Sequence, residues 1–296
     1  MKSIKELYRI GTGPSSSHTM GPRKAAEMFL ERHPDAASFK VTLYGSLAAT
    51  GKGHMTDVAI IDTLQPTAPV EIVWQPKVFL PFHPNGMTFA AFDTDDKLIE
   101  NWTVYSIGGG ALAENSDTPS IESRDVYGMN SMTEILEWCE RSGKGYWEYV
   151  KECEDSDIWD YLNEVWKTMI DSIRRGLEEE GVLPGPLNLR RKASTYYIRA
   201  TGYKQSLQSR GLVFAYALAV SEENASGGKI VTAPTCGSCG VMPAVLYHLY
   251  KSRDFSDIRI LRALATAGLV GNIVKFNASI SGAEVGCQGE VGVACA

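Results

Sequence analysis

Two short segments concentrate the side chains that can do chemistry. Gly13-Pro14-Ser15-Ser16-Ser17-His18-Thr19-Met20-Gly21-Pro22 puts four hydroxyls and an imidazole into ten residues, just ahead of the amphipathic run KAAEMFLERH. As local structure, Ser and Thr there satisfy the free N–H groups of a first helical turn, and Pro22 suits an early helical position. As chemistry, the same donors and the partial positive charge of a helix N-terminus suit a small anion such as a carboxylate. Both readings stay open on that stretch alone. The second segment, YGSLAATGKGHMTD (44–57), holds Lys52, His54, Thr56 and Asp57 within six residues. It lacks the glycine spacing ahead of a Lys-Ser/Thr pair that a phosphate loop requires. Its plain structural reading is a tight strand-to-helix connection capped by Thr50 or Asp57. His18 and His54 thus stand in Gly/Ser-rich loops that a small substrate can approach. His33 and His248 fall on helices as surface or packing residues, and FHPNGM (82–87), with His83 and Asn85, reads as a turn.

A third cluster is thiol-rich. Cys236, Cys239, Cys287 and Cys295 all lie in the last 61 residues, spaced C-x2-C, then 47 residues to a cysteine, then seven residues to the last. Thiolates close in space bind zinc or iron–sulfur clusters, but structural zinc usually takes two tight pairs and C-x7-C is loose. A thioredoxin-like use of CGSC needs a strand before it and a helix after it, and apolar KIVTA does precede it. Buried, unliganded cysteine in Gly/Ala-rich packing is the simplest reading of each one taken singly. Cys139 and Cys153 sit apart in polar helical sequence.

Elements must position these groups. The pattern predicts a helix over 20–33, a strand over 39–47, extended segments over 70–80 and 87–92, a polar turn at DTDDK (93–97) and a returning strand from Leu98, so the two strands form a hairpin. From Ser131 the apolar residues repeat at helical spacing as far as Gly181, where LEEEGVLPGPLNLRRK breaks, and 206–223 and 258–276 are again helical. With 296 residues, 44% hydrophobic and 22% charged, the chain has room for about two domains. A net charge of −6 excludes an extended nucleic-acid surface, since the densest basic run is only Arg190-Arg191-Lys192. MKSIKELYRIGTG lacks the apolar core of a signal peptide, and no apolar run reaches the ~18 residues of a membrane span. These features read as a cytoplasmic protein with reduced thiols.

GPSSSHTMGP, YGSLAATGKGHMTD, FHPNGM, GGKIVTAPTCGSCGVMPAVL and NASISGAEVGCQGEVGVAC closely resemble the iron–sulfur-dependent bacterial L-serine dehydratases (L-serine ammonia-lyases) in their single-chain form, a resemblance that runs from residue 3 to the last residue. The resemblance implies an α+β chain: a β-type α/β domain over 1–150, a helical bridge over 151–180, and over 181–296 the N-terminal part of an α-type helical domain. It implies an active site between the domains around a [4Fe-4S] cluster, L-serine as substrate, a homodimer, and a place in amino-acid degradation and gluconeogenesis. Iron lacking a cysteine ligand would act as a Lewis acid on the serine hydroxyl. The carboxylate seat is then expected at Ser16, Ser17, His18 and Thr19. His54 is expected to do acid–base work, since an imidazole titrates near operating pH, with Lys52 and Asp57 orienting it. Asn277, Ser279 and Ser281 are expected to line the cluster side. Cys287, in Gly-Cys-Gln-Gly-Glu, is the implied cluster ligand. The family's companion cysteines belong to a later motif, so the remaining ligands are expected beyond residue 296 and the chain reads as the N-terminal two-thirds of the enzyme.

Two rival readings stand beside it, the first with the same net reaction and the second from another class. A pyridoxal-phosphate dehydratase would use a Schiff-base lysine and a Gly-rich phosphate cup, for which Lys192 and Gly108-Gly109-Gly110 are the candidates, in different expected domains. A non-catalytic module would sense serine with its α/β domain and assemble through its helices.

Overall fold

The structure is a computed structural model describing residues 1–114, 124–280 and 282–296, with the side chains of 282–284 and 287 outside the description. It is an α+β protein that divides into two compact units, one of Pro14–Glu122 and one that joins Met1–Gly13 to Ser123–Ala296. In chain order the elements begin with a 3-10 turn, Ile4–Glu6, and strand β1 (Ile10–Thr12). Then follow a π-helical turn (Ser16–Met20), α1 (Gly21–Arg32), β2 (Ser38–Tyr44), α2 (Gly45–Thr50), a 3-10 turn (Gly51–His54), α3 (Thr56–Leu64), β3 (Val70–Gln75), β4 (Gly86–Phe92), β5 (Leu98–Gly108) and β6 (Ala111–Ala113). Beyond them come α4 (Met132–Ser142), α5 (Tyr146–Cys153), α6 (Ile158–Glu178), α7 (Ala193–Thr201), α8 (Gln205–Ala225), β7 (Lys229–Val231), α9 (Val241–Arg253), α10 (Asp257–Asn277) and α11 (Gly282–Cys295).

The unit of Pro14–Glu122 is built on a mixed sheet in the order β3-β2-β4-β5-β6. Strand β2 runs parallel to β3 and antiparallel to β4, with Val41 opposite both Ile72 and Phe89. Its side chains alternate as the strand period requires: Phe39, Val41 and Leu43 are buried, while Lys40 and Thr42 are not. Helix α1 covers that buried face. Fully buried Phe29 lies parallel to the Trp102 ring with centroids 6.1 Å apart, and 5.5 Å from Phe89. Losing a buried Phe of this kind costs about 3–5 kcal/mol. The expected hairpin is present as β4–β5, turning through 93–97, where Asp93 Oδ1 accepts from the amides of Asp95 and Lys97. Two predicted strands are shorter than their apolar runs. Residues 45–50 form α2, because Gly45 turns the chain at φ 48° immediately after β2 and a Cβ there would lie 2.6 Å from the Pro84 carbonyl. The extended run at 70–80 ends at Gln75, since Pro76 has no N–H to continue a ladder.

In the other unit β1 pairs antiparallel with β7, Ile10 opposite Val231. Helix α6 buries Ile158, Leu162, Val165, Trp166, Met169 and Ile173, a stripe at helical spacing. Where α6 meets α8, a Cβ on Gly176 would sit 2.2 Å from the Ala219 carbonyl oxygen, so only glycine allows the helices to approach this closely. Buried Glu154 gathers the N-terminal segment: it accepts from Ser3 Oγ (2.7 Å), the Ile4 amide (2.8 Å) and Tyr127 Oη (2.6 Å). Glu222 accepts from the amides of Lys192 and Ala193, satisfying free donors at the start of α7, and Glu223 pairs with Arg175 and Arg191. No helix among the described residues is long and apolar enough to cross a membrane.

Candidate functional site

The two polar segments that open the sequence argument meet inside the Pro14–Glu122 unit. Ser15 caps the π-helical turn, its Oγ accepting from the His18 amide at 3.1 Å, so the local reading of this stretch holds for Ser15. Pro22 has no N–H for the carbonyl four residues before it, which is that of His18. Thr56 Oγ1 donates to that carbonyl at 2.5 Å. In return Thr19 Oγ1 donates to the His54 carbonyl at 2.6 Å and accepts from the Ser15 amide at 3.1 Å. This reciprocal clasp sets the His18 and His54 rings 4.8 Å apart, centroid to centroid. Between His54 and Thr56 the chain reverses through Met55 in the left-handed region (φ 56°), at a cost of about 1 kcal/mol. Gly51 is required by packing, because a Cβ would lie 2.8 Å from Trp74 Cζ3 and 3.1 Å from Thr56 Oγ1.

The two imidazoles have different duties. His18 is buried, with Nδ1 3.0 Å from Ser17 Oγ and Nε2 3.1 Å from Ser46 Oγ. Burial, and secondarily the neighbouring His54, push its pKa down to about 4, so it is neutral near pH 7. His54 Nδ1 lies 3.0 Å from the Thr50 carbonyl, which can only accept, so that nitrogen carries the hydrogen. In neutral His54 the lone pair is therefore on Nε2. The ring borders an open cavity of about 680 Å³ lined by Ala48, Ala49, Thr50, Lys52, Gly53, His54 and Trp74.

The other sequence candidates are placed as follows. Ser16 and Thr19 are buried and Ser17 is half-buried. The Ser16 and Ser17 amides precede the first bonds of the π turn and have no backbone partner among the described residues. The Lys52 ammonium lies 5.7 Å from the Trp74 ring centroid, and Asp57 Oδ1 accepts from the Val58 amide, so neither hydrogen-bonds the His54 ring. Asn277 and Ser279 belong to the other unit, where Asn277 Nδ2 donates to the carbonyls of Asn130 and Ile273. Gly108-Gly109-Gly110 is the β5–β6 turn, whereas Lys192 begins α7 in the other unit. His33 is more than a surface residue: its Nε2 meets Glu100 Oε2 at 2.5 Å, beside Arg32. Ser46 and Trp74 are the site residues that sequence reasoning passed over, Ser46 although it stood with Thr56 in the 44–57 segment, and Trp74 because it lay in an extended apolar run.

The described thiols do not form a metal centre. Cys236 and Cys239 sit in a buried turn ahead of α9, and burial pushes both thiols up, Cys239 to about 12. Thr235 Oγ1 donates to Glu290 Oε2 at 2.9 Å beside this turn. A [4Fe-4S] centre takes converging thiolates. Among the described residues no three His, Cys, Asp or Glu side chains converge as a metal site, so these residues do not fit a cluster. Ser281 and the side chain of Cys287 lie outside the described residues.

Comparison with known proteins gives two family matches. Residues 3–75 match the serine dehydratase beta chain family and residues 48–296 the serine dehydratase alpha chain family. The chain is 38% identical over 350 residues to an L-serine dehydratase of Haemophilus influenzae, covering all of this chain and 76% of that protein. It is 36% identical over 346 residues to one of Streptomyces coelicolor and 33% identical over 348 residues to one of Helicobacter pylori, covering 99% of this chain and 76% of each relative. With its glycine-framed histidine loops and both chain types in one polypeptide, this protein belongs to the serine dehydratase family.

Proposed function

We propose that the protein is an L-serine ammonia-lyase, removing water from L-serine to give pyruvate and ammonia. Besides family membership, the observation that carries the reading is the His18–His54 pair, with His54 Nε2 free of its backbone tie at the edge of a cavity. His54 Nε2 takes the α-proton, and the imidazolium returns that proton to the hydroxyl, which leaves as water as the Cβ–O bond breaks. The product, 2-aminoacrylate, tautomerises to 2-iminopropionate, which one water hydrolyses to pyruvate and ammonia. The imidazolium formed at His54 then adjoins a ring that stays neutral, because the His18 pKa lies well below pH 7. Ser16, Ser17, His18 and Thr19 are the proposed seat of the substrate carboxylate, through the amides of Ser16 and Ser17. Asp57 shapes the start of α3, and Asn277 and Ser279 complete the set of proposed binding residues.

The proposal includes a [4Fe-4S] cluster only through Cys287, because the described residues supply no further converging donors. Iron and sulfide analysis of anaerobically prepared protein and of Cys287→Ser tests that ligand apart from turnover. A homodimer in the cytoplasm is likewise part of the proposal, and sedimentation tests the dimer. The activity is tested by pyruvate release from L-serine. His54→Ala is expected to lower the rate on the order of 10²–10⁴-fold while leaving the iron content unchanged. Near-normal turnover in that variant removes His54 from the mechanism. Ser16→Ala with Ser17→Ala is expected to raise KM more than it lowers kcat, as loss of uniform binding does.

A further inference from the structure

We propose that Lys52 is the charge partner of the substrate's α-carboxylate, which places a small 2-amino acid in the cavity with its carboxylate at the ammonium and its α-carbon toward His54. The inference deepens the serine dehydratase reading and rests on it. Three observations carry it. Among the described residues lining the cavity, Lys52 is the only amine or guanidine side chain, its companion titratable group is the His54 imidazole, and there is no acid. Lys52 forms no ion pair among the described residues, and Trp74, the other large side chain of the lining, stands 5.7 Å below its ammonium. An aromatic face attracts a cation without neutralising it, so the charge stays available to an anion. The third observation is the neutrality of His18: its ring carries no charge near pH 7, so it does not compete for the carboxylate.

The chemistry requires such a group. Through proton removal, loss of the hydroxyl and tautomerisation, the carboxylate alone keeps its negative charge, so a fixed cation binds every species about equally. The amides and hydroxyls of the Ser16–Thr19 turn supply donors but no net charge and are not among the described lining residues; within the cavity the charge comes from Lys52. A charge-assisted bond of this kind corresponds to roughly 10–100-fold in affinity. Uniform binding of this sort appears in KM and not in kcat.

Two measurements test the assignment. In turnover, Lys52→Met is expected to raise KM for L-serine about 10–100-fold with kcat within about threefold, and Lys52→Arg to restore KM to within a few-fold of the parent. In calorimetry, L-serine binding to His54→Ala, where turnover is slowed, is expected to weaken about 10–100-fold on adding Lys52→Met. Unchanged KM and Kd in Lys52→Met would overturn the proposal. So would a fall in kcat alone, or equal damage by Met and Arg with a lowered unfolding temperature, which marks a structural role. Lys52-dependent serine binding without pyruvate release leaves the assignment standing and removes the dehydratase reading. A parent protein that binds no serine removes both.

Discussion

Thr56→Val is the most direct probe of how the histidine pair is held. The substitution keeps the shape of a fully buried side chain and deletes one hydroxyl, which donates to the His18 carbonyl at 2.5 Å. That carbonyl has no donor at the usual helical position, because Pro22 occupies it. Leaving a buried acceptor short of its donor costs about 1–3 kcal/mol. The unit that carries the pair has about 110 residues, for which 1 kcal/mol corresponds to about 4 °C, so its unfolding temperature should fall by about 4–12 °C. The turn that carries His18 also carries Thr19, which ties the His54 carbonyl, so the His54 ring loses register with it. A displacement of about 1 Å of a reacting group costs on the order of 10²-fold in rate. The assay is scanning calorimetry beside pyruvate release at several serine concentrations. Thr63→Val on the same helix is the control, since its hydroxyl only bonds back to the Ala59 carbonyl at 2.8 Å, and it should change neither readout appreciably. If Thr56→Val unfolds earlier as expected but turns over serine within twofold of the parent, the clasp does not position His54 and the reasoning fails.

Further outcomes follow from other residues. His18 has a folded pKa of about 4 against about 6.5 when unfolded, so the unfolded state binds more protons between those values. The stability it contributes is complete above about pH 6.5 and is lost as pH falls through 4, by on the order of 3 kcal/mol, and urea midpoints at pH 7 and pH 4 should show a smaller loss in His18→Asn. Gly176→Ala should destabilise the helical unit by about 1–3 kcal/mol, despite alanine's better helix propensity, because of the 2.2 Å approach to the Ala219 carbonyl; thermal unfolding checks it. Brief alkylation at pH 8 followed by mass spectrometry should label exposed Cys295 and spare Cys236 and Cys239 until denaturant is added, since both thiols are buried and protonated; rapid native labelling of the pair would contradict their burial.

The elements were legible wherever one period was clean. Strand β2 alternates and α6 carries an unbroken stripe, so each is readable from local sequence. Residues 45–47 were not, because a short apolar run has no period of its own and the left-handed turn at Gly45 decides the matter. In the site, hydroxyl and glycine framing marked both histidine loops. Their meeting was not written locally: His18 and His54 are joined by two threonine-to-carbonyl bonds across more than thirty residues, and side-chain spacing does not report a bond to a backbone atom. The partner of β1 was equally invisible, since Ile10-Gly11-Thr12 is too short to announce a strand and its mate lies near the far end of the chain.

That pairing sets an order for synthesis. The whole Pro14–Glu122 unit is inserted between β1 and the rest of the unit to which β1 belongs. Its own sheet and helices are complete once residue 113 has left the ribosome, whereas Ile10–Thr12 must wait for Lys229–Val231. At about 5–20 residues per second the delay is roughly 10–40 s. Throughout it Ile4, Leu7 and Tyr8, all buried in the finished protein, have no core to enter. The N-terminal segment is therefore the stretch of nascent chain most in need of a chaperone, and the last to become resistant to a protease added during translation.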